Sequence, residues 1–362
     1  MTISKHFRSL DWILIGAAVF LTLLGILSIY SSSFRDGNFL NFKKQIIFLL
    51  VGIFLMFITS LFDYRIFKNN PYLILIFYFI SLLLLIGVLF SAPIIRGTKS
   101  WYKISQISIQ PVEFTKIILI ILFAKYFSMR HVEMYRSQHI LLSGFYLILP
   151  VLLVFFQPDL GAVLILILIW LGILFVSGIK LRHFLLLAFC FLLILILGWN
   201  SLLKDYQKER IISFFITSDP LGISWSQEQA KIAIGSGGLL GKGLKKGSQT
   251  QLLFLPESQT DLIFAAISEE MGVLAILFLF FFYFLILFQA IKICLKCQFN
   301  FSRLLISGIV TLWISQIFIN IGMNLGILPI IGISLPFVSY GGSGLIANYF
   351  LLGILQSIKV WG

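Results

Sequence analysis

The stretch that decides the fold is Met271–Ile291, which reads MGVLAILFLFFFYFLILFQAI and contains no charged side chain. A helix of about 20 residues, rising about 1.5 Å per residue, crosses a hydrocarbon core of about 30 Å. Backbone N–H and C=O groups in lipid must be hydrogen-bonded within their own segment, which favours a helix over an open sheet. The stretch therefore predicts a transmembrane helix.

Similar apolar runs recur along the 362-residue chain, which is 59% hydrophobic and only 11% charged. A soluble domain carries roughly 25% charged residues, so the composition excludes that class. We predict an all-α polytopic membrane protein with about ten transmembrane helices, organised as a single membrane domain over residues 1–362. The predicted spans cover residues 12–32, 45–63, 71–90, 111–129, 139–156, 160–178, 183–200, 262–291, 304–325 and 342–358.

An even number of spans places both termini on one side of the membrane, and the charges identify that side. Basic residues in short loops mark the cytoplasm, and the termini share their side with loops that contain Arg65, Lys68, Lys292 and Arg303. We therefore predict cytoplasmic termini and a large extracytoplasmic loop at 201–261, between spans 7 and 8. The net charge of +13 then reflects mostly membrane anchoring, and we predict no nucleic-acid partner.

The predicted outer loops also carry many cations. These are Arg35, Lys43, Lys44, Arg96, Lys99, Lys103, Lys204, Lys208, Arg210, Lys231, Lys242, Lys245 and Lys246. A long loop crosses the membrane largely regardless of its charge, so the positive-inside bias does not apply to the loop 201–261. The short loop with Arg96, Lys99 and Lys103, in contrast, should resist translocation. Either the predicted topology is wrong there, or an anionic ligand makes these charges useful. We favour the ligand.

The long outer loop is rich in glycine and lysine between Ile232 and Gly247, which include the run GSGGLLGKGLKKG. Glycine lets the backbone approach a bulky ligand closely, and backbone N–H groups with lysines can cradle a phosphate. The spacing is not that of a Walker loop. The alternative interpretation is a flexible, solvated loop, and composition leaves both open.

A general base on the outer face must be a carboxylate or a lysine, because all four histidines fall on the predicted cytoplasmic side. Asp261 is the best-placed acid, since it precedes an apolar stretch and is expected above the bilayer over a partly apolar surface. A carboxylate there can have a raised pKa, which suits general-base work. The alternative is helix capping, because Ser258–Asp261 resembles a capping box at a helix start.

Three further charges lie near predicted span ends. Asp159, in FQPDLG, opens the sixth span, where an aspartate commonly caps a helix. Glu113 and Lys116 are three residues apart and can pair on one helical face. Burying either charge alone would cost about 2.5–3.5 kcal/mol, so we predict a pair. The pair is either a snorkelling interfacial contact or part of a polar groove that enters the membrane from outside.

Several longer motifs occur in order at characteristic separations. They are QPVEFTK at 110–116, QPDLG at 157–161, SDPLG at 218–222, KIAIGSGGLLGKG at 231–243, GSQTQLLFLPESQTDLIFAAISEEMG at 247–272 and NIGMNLGILPIIGISLPFVSYGGSG at 320–344. With these motifs the chain resembles, over nearly its whole length, the SEDS family (shape, elongation, division and sporulation). The GKG followed by GSQTQ, and the NIGM, resemble the elongation branch.

The resemblance implies a peptidoglycan glycosyltransferase of ten spans in the bacterial cytoplasmic membrane. Its substrate would be lipid II, a disaccharide-pentapeptide on undecaprenyl pyrophosphate, polymerised on the outer face during elongation and shape maintenance. The implied partners are a class B penicillin-binding transpeptidase and the elongation machinery. The family's essential aspartate corresponds to Asp261, and its polar groove residues correspond to Glu113, Lys116 and Asp159. Ser334 stands where the family commonly has proline.

A pyrophosphate-linked substrate would also explain the outward cations. We expect Arg96, Lys99, Arg210, Lys231 and Lys242 to contact it, with Lys99 in place of a common family arginine. Asp261 would take the proton from an acceptor hydroxyl in an inverting transfer, with or without a divalent cation. The rival hypotheses are a lipid II flippase and a non-catalytic scaffold for the transpeptidase. A flippase needs polar groups along the whole bilayer, whereas the inner halves of these spans have few.

Overall fold

A computed structural model describes residues 3–35, 37–93, 98–104, 107–129, 137–180 and 223–362, together with 182–187, 189, 193 and 208. The helices are α1 (Ile3–Ser9), α2 (Trp12–Ser32), α3 (Leu40–Leu61), α4 (Arg65–Asn69), α5 (Pro71–Ser91), α6 (Pro111–Met129), α7 (Ser137–Phe156), α8 (Leu160–Val176), α9 (Ile223–Ser236), α10 (Ser248–Gln251), α11 (Ile263–Lys296), α12 (Asn300–Leu325) and α13 (Gly342–Trp361). The strands β1 (Tyr102–Ile104) and β2 (Ile107–Ile109) pair antiparallel, with Tyr102 opposite Ile109.

The prediction of a polytopic helical membrane protein is confirmed. Seven of the described helices are long and apolar enough to cross a membrane, namely α2, α3, α5, α7, α11, α12 and α13. Two others also match predicted spans: α6, which carries Glu113, Lys116 and Lys125, and α8, which is shorter. The remaining predicted span, 183–200, lies largely outside the described residues, as does the first part of the predicted loop 201–261.

Close helix contacts hold the bundle together. The most extensive is between α3 and α13, and α12 packs against both α6 and α8. Helices in lipid gain little from hydrophobic burial against one another, so small residues that let backbones approach are favoured at their interfaces. Gly353 of α13 shows this, because a Cβ atom there would lie 2.7 Å from the carbonyl oxygen of Met56 in α3.

The long helix α11 is interrupted near its start, at Gly272. This residue has a φ of 73° and a ψ of −171°, so the helix consists of two parts joined by a kink. Positive φ is readily available only to glycine. The residues before the kink stand at the end of the bundle where α3, α6 and α8 begin. We call this end the Asp261 face, and we call the other end, where α2 begins and α11 ends, the opposite face.

Candidate active site

A cavity of about 1150 Å³ opens at the Asp261 face. It lies between the starts of α6 and α8, the segment that precedes α11, and the segment between α12 and α13. Four of the charged residues that the sequence singled out line it together: Asp261, Glu113, Lys116 and Asp159. The fold therefore brings into one cavity acids that are distant in the sequence.

Asp261 lies two residues before α11 begins, at the end of a tight turn. The turn is closed by hydrogen bonds from the N–H groups of Thr260 and Leu262 to the carbonyl oxygen of Glu257, at 3.0 and 3.2 Å. Leu262 is the N-cap of α11, and a leucine side chain has no atom that can cap. Ser258 and Asp261 both precede this N-cap, so Ser258–Asp261 does not form the capping box of α11.

Two buried asparagines of α12 hold the main chain of Asp261. The side-chain amides of Asn320 and Asn324 both donate to the Asp261 carbonyl oxygen, each at 3.0 Å. Asn320 also donates to the carbonyl of Ile333, and Asn324 accepts from the N–H of Ala265. Leaving a buried polar group without its partner costs about 1–3 kcal/mol. The two hydrogen bonds to one carbonyl oxygen therefore fix the position of residue 261.

The segment before Asp261 is held from the other side by the start of the chain that leads into α13. The Ser339 hydroxyl donates to the carbonyl of Thr260 at 2.7 Å, and the Tyr340 N–H donates to the carbonyl of Gln259 at 2.8 Å. Gln45 of α3, which is buried, donates in turn to the Ser339 carbonyl. Asp261 is thus positioned by main-chain contacts from two directions.

Glu113 and Lys116 form the predicted pair near the start of α6. The Lys116 ammonium lies 2.6 Å from the Glu113 carboxylate, and both side chains are largely buried. Both also line the cavity. The pair therefore belongs to a polar groove that enters the bundle, and the alternative of an exposed interfacial pair does not describe it.

Asp159 caps α8, as its position before the helix suggests, and it lines the cavity as well. One carboxylate oxygen accepts from the Ala162 N–H at 2.9 Å, and the other accepts from the Gln110 amide at 3.3 Å. Burial raises the pKa of Asp159, while the Ala162 hydrogen bond and the Lys116 ammonium oppose this shift. Capping and cavity lining are therefore both properties of this residue.

The glycine-rich segment 237–247 packs against the kink of α11. The N–H groups of Lys242 and Gly243 donate to the carbonyls of Glu269 and Glu270, at 2.9 Å each. In return, the N–H groups that follow Gly272 donate to carbonyls of this segment. These N–H groups are used inside the protein, so neither a phosphate cradle nor a solvated loop describes this part of the segment. Its glycines allow close backbone packing instead.

The structure separates the expected substrate-contacting cations. The Lys242 ammonium pairs with Glu269 at 2.9 Å, and Lys231 packs beside Gly326 at the end of α12, where a cation is favourable. Lys99 donates through its N–H to the Gln157 carbonyl. These three residues are not among those that line the cavity. Arg96 and Arg210 lie outside the described residues, so no geometry bears on them.

Two other cations of the predicted outer loops, Lys44 and Lys103, do line the cavity. Lys44 lies near the start of α3, and Lys103 lies on β1. The sequence placed both on the outer face but gave no reason to prefer them, because the cavity combines elements from distant parts of the chain. Asn320 and Asn324 were missed for the same reason, although their spacing of four residues on one helix face was a usable signal.

Comparison with known proteins agrees with this arrangement. The sequence profile of the family described as FTSW_RODA_SPOVE, cell cycle protein, matches residues 10–361. Peptidoglycan glycosyltransferase MrdB of Escherichia coli (strain K12) is 36% identical over 343 residues, which cover 93% of this chain and 90% of the relative. Stage V sporulation protein E of Bacillus subtilis (strain 168) is 31% identical over 372 residues, which cover 99% of both.

Solved structures are similar over nearly the whole chain. A chain from a peptidoglycan synthase complex, described for its structural coordination of polymerization and crosslinking, has a TM-score of 0.83 and 27% identity, with 97% of both chains covered. The crystal structure of the rod shape determining protein RodA of Thermus thermophilus has a TM-score of 0.72 and 26% identity, with 97% and 96% covered. The resemblance found in the motifs is confirmed, and the chain belongs to the family of FtsW, RodA and SpoVE proteins.

Proposed function

We propose that this protein, a peptidoglycan glycosyltransferase of cell elongation by its relatives, polymerises lipid II on the extracytoplasmic face of the bacterial cytoplasmic membrane. The observation that best supports the proposal is the cavity that joins Asp261 to Glu113, Lys116 and Asp159. A cavity of about 1150 Å³ is large enough for a bulky ligand, and polar groups converge in it.

Asp261 acts as the general base in this proposal. Its carboxylate takes the proton from the 4-hydroxyl of the acceptor sugar, and the hydroxyl oxygen attacks the anomeric carbon of the donor. The bond from that carbon to the pyrophosphate oxygen breaks, and the pyrophosphate leaves with the electron pair. One displacement turns an α-linked donor into a β-linked chain, so the transfer inverts. The main-chain contacts of Asp261 support this role, because a base acts only within hydrogen-bond reach of its proton.

Negative charge develops on the departing pyrophosphate, and cations close to the cavity would stabilise it. Lys44 and Lys103 join the candidates for this role because they line the cavity. Lys116 is paired with Glu113, so we assign these two residues and Asp159 to shaping the groove. Contacts of Lys99, Lys231, Lys242, Arg96 and Arg210 with the substrate stay predictions.

A divalent cation remains an expectation for the pyrophosphate. Among the residues that the structure describes, no group of three or more His, Cys, Asp or Glu side chains is arranged to hold a metal ion. Activity measured with and without a chelator, after the purified protein has been depleted of metal, tests whether a cation contributes.

One assay tests the proposed activity against its rivals. The purified protein is incubated with labelled lipid II and moenomycin, in the absence of any other polymerase. Glycan polymer supports the proposal. Lipid II that changes leaflet in vesicles without forming polymer would indicate the flippase, and neither outcome would indicate the scaffold.

The role of Asp261 is tested by Asp261→Asn, with Glu257→Gln as the matched control. Loss of a general base typically lowers the rate by about 10²–10⁴, so we expect Asp261→Asn to form almost no polymer. Glu257 lines the same cavity but its carboxylate accepts the Thr260 hydroxyl at 2.9 Å, a bond that glutamine can also accept. Equal rates for the two variants would refute the assignment.

The proposed partner is a class B penicillin-binding transpeptidase within the elongation machinery. The similar chain from a peptidoglycan synthase complex supports a partner of this kind. Copurification of the full chain with the transpeptidase from membranes, followed by the polymer assay with and without it, tests both the association and its effect on the rate.

A further inference from the structure

A second cavity, of about 360 Å³, lies at the opposite face of the bundle. It is formed by the start of α2 and the ends of α11 and α13, far from the cavity that contains Asp261. Its polar and aromatic lining includes Asp11, Trp12, Gln289, Lys292, Lys296 and Lys359. Nothing in the proposed polymerisation uses these residues.

Asp11 lines this cavity and is held by several hydrogen bonds and an ion pair. Its carboxylate caps α2 by accepting from the Leu14 N–H, and it pairs with the Lys359 ammonium at 3.0 Å. The buried side chain of Gln356 both donates to and accepts from the Asp11 main chain, at 3.1 and 2.8 Å. These contacts join the start of α2 to the end of α13 and leave the cavity preformed.

The charge of the cavity is predominantly positive. Lys292 and Lys296 lie four residues apart on one face of α11 and both are exposed. Neither forms an ion pair with any residue that the structure describes. Lys359 is compensated by Asp11, so two ammonium groups at the cavity lack a carboxylate partner within the described chain.

Gln289 gives the independent reason to expect a polar ligand. It lies one turn before Lys292 on α11, lines the cavity, and is only 7% exposed. Its side-chain amide makes no hydrogen bond to any described residue. The cavity leaves this amide accessible, so a polar group that enters the cavity can form hydrogen bonds with it.

We infer that this cavity binds the phosphate group of an anionic phospholipid from the leaflet at the opposite face. Lysines that merely anchor a helix end need no cavity and no buried amide beside them. Basic pockets between transmembrane helices are typical sites for anionic lipid headgroups. Trp12, which is 53% exposed at the rim, adds the interfacial aromatic contact that suits a lipid.

Native mass spectrometry of the full chain, delipidated in detergent and titrated with phosphatidylglycerol, tests the inference by counting lipid adducts. We expect one saturable adduct, with an affinity for Lys292→Gln/Lys296→Gln that is lower by roughly 30-fold, at about 1 kcal/mol for each lysine near an anionic surface. Gln289→Leu should lower the affinity about fivefold, since it removes one hydrogen bond of about 1 kcal/mol.

The matched control is Lys180→Gln/Arg182→Gln, which removes the same charge from the same face, where both side chains are exposed. We expect its affinity to stay within twofold. Equal loss in both double variants would show diffuse attraction and overturn the site, and so would unchanged adducts in the Lys292→Gln/Lys296→Gln variant or in Gln289→Leu. In a further arm, displacement of the lipid by millimolar inorganic phosphate would overturn the lipid assignment in favour of free phosphate.

Discussion

Asp261 and Glu269 lie two turns apart around the start of α11, and the protein holds them in opposite ways. Asp261 is held through its main chain, because two buried amides donate to its carbonyl oxygen. Glu269 is held through its carboxylate, which accepts five hydrogen bonds from Lys242, Ser248, Gln249 and Thr250. The comparison separates an acid that is held through its main chain from an acid that is held through its carboxylate.

The largest expected effect comes from replacing each acid by its amide. Asp261→Asn should lower the polymerisation rate by about 10²–10⁴ and leave the melting temperature nearly unchanged, since its main-chain bonds persist. Glu269→Gln should instead lower the free energy of unfolding by about 3 kcal/mol, because it removes a buried ion-pair partner and sets an amide donor against backbone donors. Thermal unfolding in detergent and rate per folded molecule measure both. Similar changes in rate and melting temperature for the two variants would contradict the different roles of Asp261 and Glu269.

Gly272→Ala tests whether the kink in α11 is needed for the positions of both Asp261 and Glu269. The residue has a φ of 73°, and a Cβ atom there would lie 2.6 Å from the Leu239 carbonyl oxygen. Strained backbone of this kind costs about 1–3 kcal/mol, and the clash adds to it. We expect a lower melting temperature and a lower rate together. The control Gly235→Ala, at a glycine with open space around it, should change neither.

Asn320→Ala sharpens the comparison because it loosens the main chain of Asp261 without removing the acid. We expect about 1–3 kcal/mol of lost stability from the missing hydrogen bonds to the Asp261 and Ile333 carbonyls and, in addition, a lower kcat. The control is Gln356→Ala, which removes a buried amide that binds the main chain of Asp11 at the opposite face. It should lose comparable stability and keep its kcat. Equal kcat in both variants would show that Asn320 has only a structural role.

The smallest expected effect concerns pH and Asp159. Because burial raises its pKa in the folded protein, the folded state binds this proton more tightly than the unfolded chain does. Stability from this group is therefore present below its ordinary pKa of about 4 and is lost as the pH rises through the raised value. Asn caps a helix about as well as Asp, so Asp159→Asn should gain melting temperature relative to the parent as the pH rises above 4. A constant difference across pH would contradict this.

The sequence predicted the helices well because apolar length is a local property. It predicted a span over Met271–Ile291 correctly, but it could not locate the break at Gly272. That break depends on hydrogen bonds between the kink and the segment 237–247, and such pairing leaves no periodic signal. The predicted span 183–200 and the first part of the predicted loop, residues 201–222, remain predictions because they lie largely outside the described residues.

The candidate site was predicted in part. Asp261, Glu113, Lys116 and Asp159 could be found because charged residues in an apolar chain are rare and costly. Lys242 was expected to contact the substrate because its partner, Glu269, lies 27 residues away in sequence. The pairing of these two residues could not be identified from the sequence. Residue type alone cannot tell a lysine that meets a ligand from one that neutralises a buried carboxylate, so its cavity role has no support from geometry.

The side-chain amides of Asn320 and Asn324 bind the main-chain carbonyl at position 261 and make no use of its side chain. These contacts therefore do not depend on which side chain position 261 carries. Asp261 could be exchanged for glutamate, cysteine or histidine with the fastening to α12 intact, so a substitution series at this one position would report on reactivity separately from architecture. Most side chains in the bundle are packed against their neighbours. Position 261 is therefore a suitable place to change the reacting group of the enzyme while its main-chain contacts stay the same.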